Sequence, residues 1–124
     1  VKKATKRSWK RDEILRVLQE TNEHPTADWV YQKLRPEIPD LSLGTVYRNI
    51  ALFKEKGMAI PVANILGEER LDGDTSPHAH LVCKCCGRID DIDMPSLTLK
   101  GDTNGFCADF VSVTYFGLCD ACSR

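Results

Sequence analysis

Apolar positions recur along the first half of the chain at helical spacing. Ile14, Leu15 and Leu18, with Val17 beside them and Arg11 at the margin, form one stripe that ends near Glu20. Ser8 is placed to cap it, and the basic segment from Lys2 to Arg11 reads as a loose arm. Asn22-Glu23-His24-Pro25 interrupts the pattern. Thr26 can cap a second helix carrying Trp29, Val30, Lys33 and Leu34, which Pro36 and Pro39 close. Ser42 caps a third, in which Val46, Ile50 and Phe53 recur on one face with Leu52 beside them. Gly57, after Lys54-Glu55-Lys56, supplies a left-handed stop, and the lysines suit a helix C-terminus.

The period then changes. Met58–Val62 and Glu69–Leu71 read as strands of a hairpin around Asn64–Gly67. Three helices followed by a hairpin is the order of a winged helix-turn-helix. Beyond Asp72-Gly73-Asp74, the Thr75-Ser76-Pro77 segment reads as a hinge. Strand-like runs follow at His80–Cys83, Gly87–Ile92 and Cys107–Phe116, while Ser96–Asn104 is too short and broken for a helix. The expected fold class is α+β, with a winged-helix domain over 1–74 and a small β-rich domain over 75–124.

Charge sharpens this division. Residues 1–58 hold 12 Lys/Arg against 8 Asp/Glu, and residues 59–124 hold 5 against 10. A basic first half suits a polyanion such as duplex DNA, and an acidic second half suits cations. No apolar run approaches the ~18 residues that span a bilayer, and no leader-like pattern opens the chain. The expected setting is the cytoplasm, without membrane contact.

Cysteine spacing agrees with a reducing compartment. Four of the six cysteines fall in two pairs, Cys83/Cys86 and Cys119/Cys122, each with a two-residue gap. Such gaps suit one small ion better than long cross-links, and Gly87 lets the chain turn back after the first pair. Four thiolates with no open position describe a structural zinc (Zn2+) site. Cys85 could stand in for a neighbour. Cys107 stands alone and reads as a small buried hydrophobe.

Two further groups carry chemistry. His78 and His80, two residues apart on an extended chain, point to the same side. Asp72 and the acidic run Asp90, Asp91 and Asp93 surround them in sequence, with His24 far upstream. Imidazole with carboxylate suits Fe2+, Mn2+ or Zn2+. Nothing around these residues reads as a general base beside a substrate pocket, so an enzyme is not expected. The capped start of the third helix offers Ser42, Thr45, Tyr47 and Arg48 to phosphates and base edges.

In their order along the chain these groups resemble the ferric uptake regulator (Fur) family of bacterial metal-dependent transcription factors. The markers are His24-Pro-Thr-Ala-Asp28, Thr45-Val-Tyr-Arg48, Gly57, Arg70-Leu-Asp72, His78-Ala-His80, Cys83-x-x-Cys86-Gly87 and Gly117-Leu-Cys119-x-x-Cys122. The resemblance implies a DNA-binding repressor that acts as a homodimer on a palindromic operator, with a zinc-stapled dimerisation domain. It also implies a regulatory Fe2+ or Mn2+ held by His24, Asp72, His78, His80 and Asp91. Aspartate at 72 and 91, where iron sensors usually carry glutamate, is similar to the peroxide-sensing branch. There, hydrogen peroxide reacting with bound Fe2+ oxidises ligand histidines, here matching His24 and His78. A further histidine of many iron sensors corresponds to about Val111, so no third metal site is expected. One departure is the short Met94–Asn104 segment, with Pro95 and Gly101, where the family carries a long amphipathic helix.

Overall fold

A computed structural model describes residues 6–101 and 103–124. It divides into two compact units, Val1–Thr75 and Ser76–Arg124. Among the described residues no helix is long and apolar enough to cross a membrane.

The first unit holds α1 (Lys6–Glu20), α2 (Ala27–Leu34), α3 (Leu43–Glu55), β1 (Ile60–Ile65) and β2 (Glu68–Asp72). α1 starts before Ser8, so Ser8 lies inside the helix and not at its N-cap position; of the expected loose arm, residues 6–11 are helical and residues 1–5 lie outside the described residues. Thr26 caps α2 by accepting the Trp29 N–H, and Ser42 caps α3 by accepting that of Thr45. Gly57, at φ 71°, ends α3, with Met58 N–H donating to Phe53 O and Gly57 N–H to Lys54 O. These are the paired bonds of a Schellman stop.

Helical stripes become the core directly. Ile14, Val17 and Leu18 of α1, Val30 and Leu34 of α2, and Val46, Ile50 and Phe53 of α3 are buried together with Ile38, Leu41 and Leu71. β1 and β2 pair antiparallel, from Ile60 opposite Asp72 to Ile65 opposite Glu68, with a bulge between Pro61 and Ala63. The turn is tighter and later than the pattern predicts. It comprises Leu66 and Gly67 at φ 54° and 80°, so β1 runs through Asn64. Two successive left-handed residues match the twist of a hairpin, which overrides the usual aversion of leucine to that region. The chain then passes Gly73, where a Cβ would stand 2.4 Å from Leu18 O and 2.7 Å from Gln19 N. Only glycine fits there against the end of α1.

In the second unit β3 (Ala79–Cys83) is central, flanked by antiparallel β4 (Ile89–Ile92) and parallel β5 (Thr114–Gly117). β5 is shorter than expected: residues 107–113 do not pair as strand. No helix forms over 96–101 or 103–104. The buried apolar set is small: Ala79, Val82, Cys83 and Ile89. Phe106, Phe110, Phe116 and Leu118 are each more than half exposed. Cys107 is also exposed, contrary to the expected buried hydrophobe. With so few apolar residues around it, no interior forms that could enclose its side chain.

Candidate metal centres and nucleic-acid interface

The cysteine pairs sit on two turns of the second unit. The first follows β3, and Gly87, at φ 79°, reverses the chain while its N–H donates to Cys83 O at 3.0 Å. The second follows β5, where Cys122 and Ser123 N–H groups donate to Cys119 O at 3.1 and 2.9 Å. The Lys84 N–H to Gly117 O bond, 2.8 Å, ties the two turns. Sulfurs of Cys83, Cys86, Cys119 and Cys122 all lie within 4.8 Å of one another, and Cys86 Sγ is 3.7 Å from Cys119 Sγ. Zinc holding thiolates at about 2.3 Å in a tetrahedron sets neighbouring sulfurs about 3.8 Å apart. The donor set therefore fits zinc.

Local electrostatics favours an anion at the centre of this set. The Cys83 thiol is lowered from the usual 9.0 to about 6, first by the Cys86 N–H and then by the Cys119 N–H, which approach Sγ at 3.5 and 3.4 Å. Cys122 is pushed far above the ordinary thiol range by its hydrogen bonds to Cys119 and then Cys85. Four thiols this close cannot all ionise without a cation. Cys85 is exposed and stands outside the four-sulfur group. Arg88 spans the site's rim, bonded to Asp90 and Asp120 at 2.8 Å each, and holds the Asp120 carboxyl below the usual range. Exposed pairs of this kind stabilise little.

Candidate histidine and aspartate ligands stand in both units. In the second unit His80 stands directly opposite Asp91 in the β3–β4 register. Alternation along β4 sends Asp90 to the other face, toward Arg88. His78 Nδ1 donates to Ser76 O at 2.7 Å, which turns its Nε2 toward the same point. His78 Nε2 and His80 Nε2 are 3.0 Å apart, and Asp91 Oδ1 lies 3.4 and 3.3 Å from them. An ion holding such donors at about 2.1 Å separates them by about 3.0 Å in an octahedron and about 3.4 Å in a tetrahedron. The triangle has the dimensions of one coordination face.

In the first unit His24 Nε2 lies 3.4 Å from Asp72 Oδ2, and both side chains are nearly fully buried, at 4% and 6% exposure. The Asp74 N–H donates to Asp72 Oδ1 at 2.8 Å and orients the carboxylate. The loop bearing His24 is tied to β2 by Leu71 N–H to Pro25 O, 2.9 Å, and by Arg70, whose guanidinium donates to the His24 and Glu23 carbonyls. The Arg70 bonds escape sequence reading because they join residues 46 and 47 positions apart. The one available signal was Arg70's place beside Asp72.

At the start of α3, Ser42 Oγ and Thr45 Oγ1 are 2.8 Å apart and Arg48 Nη2 donates to Thr45 Oγ1 at 3.2 Å. Tyr47 is 56% exposed, and Leu43, Gly44 and Arg48 share the open surface. Asn49 Nδ2 donates to Thr45 O, and Asn49 Oδ1 accepts from Arg11 Nε at 3.0 Å, which fixes α3 against α1. Most donors of Arg48 remain for phosphate or base edges.

A winged helix-turn-helix order with an exposed third helix, together with a four-thiol group and His/Asp groups that could hold metal ions, is the build of a metal-responsive transcriptional regulator. The family model that matches residues 2–104 is the ferric uptake regulator family, and the chain belongs to this family of DNA-binding, dimeric, metal-responsive repressors. Among curated relatives it is similar to the peroxide-responsive repressor PerR of Staphylococcus aureus, strain USA300. The two are 34% identical over 116 residues, covering 90% of this chain and 78% of that one. Among solved structures it resembles the Campylobacter jejuni peroxide stress regulator, with a TM-score of 0.76 and 25% identity over 94% of this chain and 91% of that one. The Helicobacter pylori ferric uptake regulator shares the fold, at a TM-score of 0.76 and 17% identity over 96% and 85% of the two chains.

Proposed function

We propose that the chain is a cytoplasmic, homodimeric repressor without enzymatic turnover, which binds a palindromic operator when metal-loaded and releases it after exposure to hydrogen peroxide. Zn2+ is held by Cys83, Cys86, Cys119 and Cys122 and staples the second unit. A regulatory Fe2+ or Mn2+ takes His24, Asp72, His78, His80 and Asp91. An ion with ligands from both units favours the conformation that brings them together, and so links metal binding to operator affinity. Ser42, Thr45, Tyr47 and Arg48 meet the DNA. The exposed phenylalanines and leucines of the second unit support a second copy as their cover.

The observation that carries this reading is the His78–His80–Asp91 triangle, whose edges of 3.0–3.4 Å are those of an ion's coordination face. Sensing of peroxide, as opposed to metal alone, is supported by aspartate at both carboxylate positions and by the names of the relatives above. Fe2+ held by these residues would supply the redox cycling that activates peroxide, with no net electron drawn from the iron. One oxygen atom of hydrogen peroxide passes to a ligand imidazole carbon and the other leaves as water. His24 and His78 are the expected targets, and an oxidised ring no longer presents the same donor.

The test is peptide mass spectrometry of the zinc-loaded protein after Fe2+ and hydrogen peroxide, with Mn2+ as control. Gain of one oxygen atom on His24 or His78 with Fe2+ but not Mn2+ is the expected result. Unmodified histidines would instead indicate an iron-responsive regulator if operator affinity is still set by Fe2+, or a zinc-responsive one if it is set by Zn2+.

A further inference from the structure

His24 has φ of 50°, in the left-handed region that side chains with a Cβ populate rarely. Something must hold it there. Three successive carbonyls of its loop are taken by two successive residues of β2. Arg70 Nη2 donates to Glu23 O at 2.8 Å, Arg70 Nε donates to His24 O, and Leu71 N–H donates to Pro25 O at 2.9 Å. Asp72 follows at once in the chain, and its carboxylate lies 3.4 Å from His24 Nε2. The guanidinium therefore joins the backbone of one ligand to the strand that carries the other.

We propose that Arg70 is a positioning residue for the regulatory metal: its planar fork across the Glu23 and His24 carbonyls holds the His24 imidazole against Asp72 before any ion arrives. This rests on the metal ligands assigned under Proposed function. Nε and Nη2 lie on one edge of a rigid guanidinium and match two neighbouring carbonyls, whereas a lysine ammonium is a single point on a flexible stem. A preformed pair spares the ion the ordering of the loop. Loss of partners that orient metal ligands weakens metal binding by about 10–100-fold. Coulomb's law alone has the opposite sign, because removing a cationic side chain near a cation site tightens binding.

The experiment is Mn2+ titration of the full-length, zinc-loaded protein, with free Mn2+ followed by electron paramagnetic resonance. Wild type, Arg70→Met and Arg70→Lys are compared, with zinc content and tryptophan-monitored melting in parallel. The expected result is Mn2+ affinity lowered by about 10–100-fold in Arg70→Met and not restored in Arg70→Lys, with zinc content unchanged. Wild-type affinity in Arg70→Met overturns the inference alone. Full recovery in Arg70→Lys overturns the fork geometry, because charge then suffices. If Arg70→Met does not fold, Arg70→Lys against wild type decides. Failure of the wild type to bind any Mn2+ beyond its zinc overturns the metal assignment itself, a distinct outcome.

Discussion

Replacing Gly73 by alanine sets two effects of opposite sign against each other. Gly73 has no left-handed φ, so alanine there restricts the unfolded chain and on that ground stabilises by about 0.4–1 kcal/mol. Space argues the other way. The new Cβ would lie 2.4 Å from Leu18 O and 2.5 Å from its carbonyl carbon, both backbone atoms of α1. Relief requires the chain after β2 to move by about 1 Å against a helix anchored by buried Ile14, Val17 and Leu18. Overpacking of this kind costs about 1–3 kcal/mol, so steric strain wins by about 1–2 kcal/mol. For a unit of this size each kcal/mol moves the midpoint by about 4–8 °C, which predicts a fall of about 5–15 °C. The assay is specific to the first unit, because both tryptophans, Trp9 and Trp29, belong to it. Fluorescence-detected melting of Gly73→Ala should shift downward while zinc content stays at the wild-type level. An unchanged or raised midpoint would refute the close approach and leave the entropic effect in command.

Three other outcomes follow from the same geometry. Cys83→Ser removes the buried member of the four-cysteine set, the acceptor of the Cys86 and Cys119 N–H groups, so zinc affinity should drop by orders of magnitude and proteolysis should open residues 76–124, while tryptophan melting of the first unit persists; a zinc-replete, protease-resistant variant would contradict this. Because the Cys83 pKa is lowered in the fold, its thiolate stabilises the zinc-free protein fully above the ordinary thiol value of 9.0, and that contribution is lost as pH falls through about 6; the zinc-free protein should lose stability, and Cys83 its reactivity toward a thiol reagent, across this window on acidification, and a flat profile would contradict this. Arg48→Ala should weaken operator binding about equally across sequences, with a salt slope shallower by about one, if it meets phosphate, or relax specificity at one base pair if it reads a base edge; unaltered affinity in a salt titration would exclude Arg48 from the interface.

Local pattern carried much of this molecule. The stripes Ile14/Leu18, Val30/Leu34 and Val46/Ile50/Phe53 name three helices and their buried faces, because helical period and core-facing side chains are the same physical fact. Caps at Thr26, Ser42 and Gly57 are short-range bonds, legible for the same reason. Spacing pointed to a four-thiolate set at the two CxxC turns with Cys85 as a possible substitute, and packing draws the sulfurs of Cys83, Cys86, Cys119 and Cys122 within 4.8 Å of one another; the i, i+2 histidines bring their Nε2 atoms to 3.0 Å, as an extended chain allows. What lay beyond the sequence depends on chain segments meeting after folding. The Leu66–Gly67 turn was displaced because hairpin twist outranked residue preference. β5 shrank and Cys107 stayed exposed because no apolar layer encloses 103–113. Arg70 reaches carbonyls 46 and 47 residues away, and Gly73 must be glycine because α1 happens to pass there. A sequence records which donors a chain owns and which neighbours they have along the strand or helix. Which acceptor a distant guanidinium finds, and where two backbones touch, is settled only by packing.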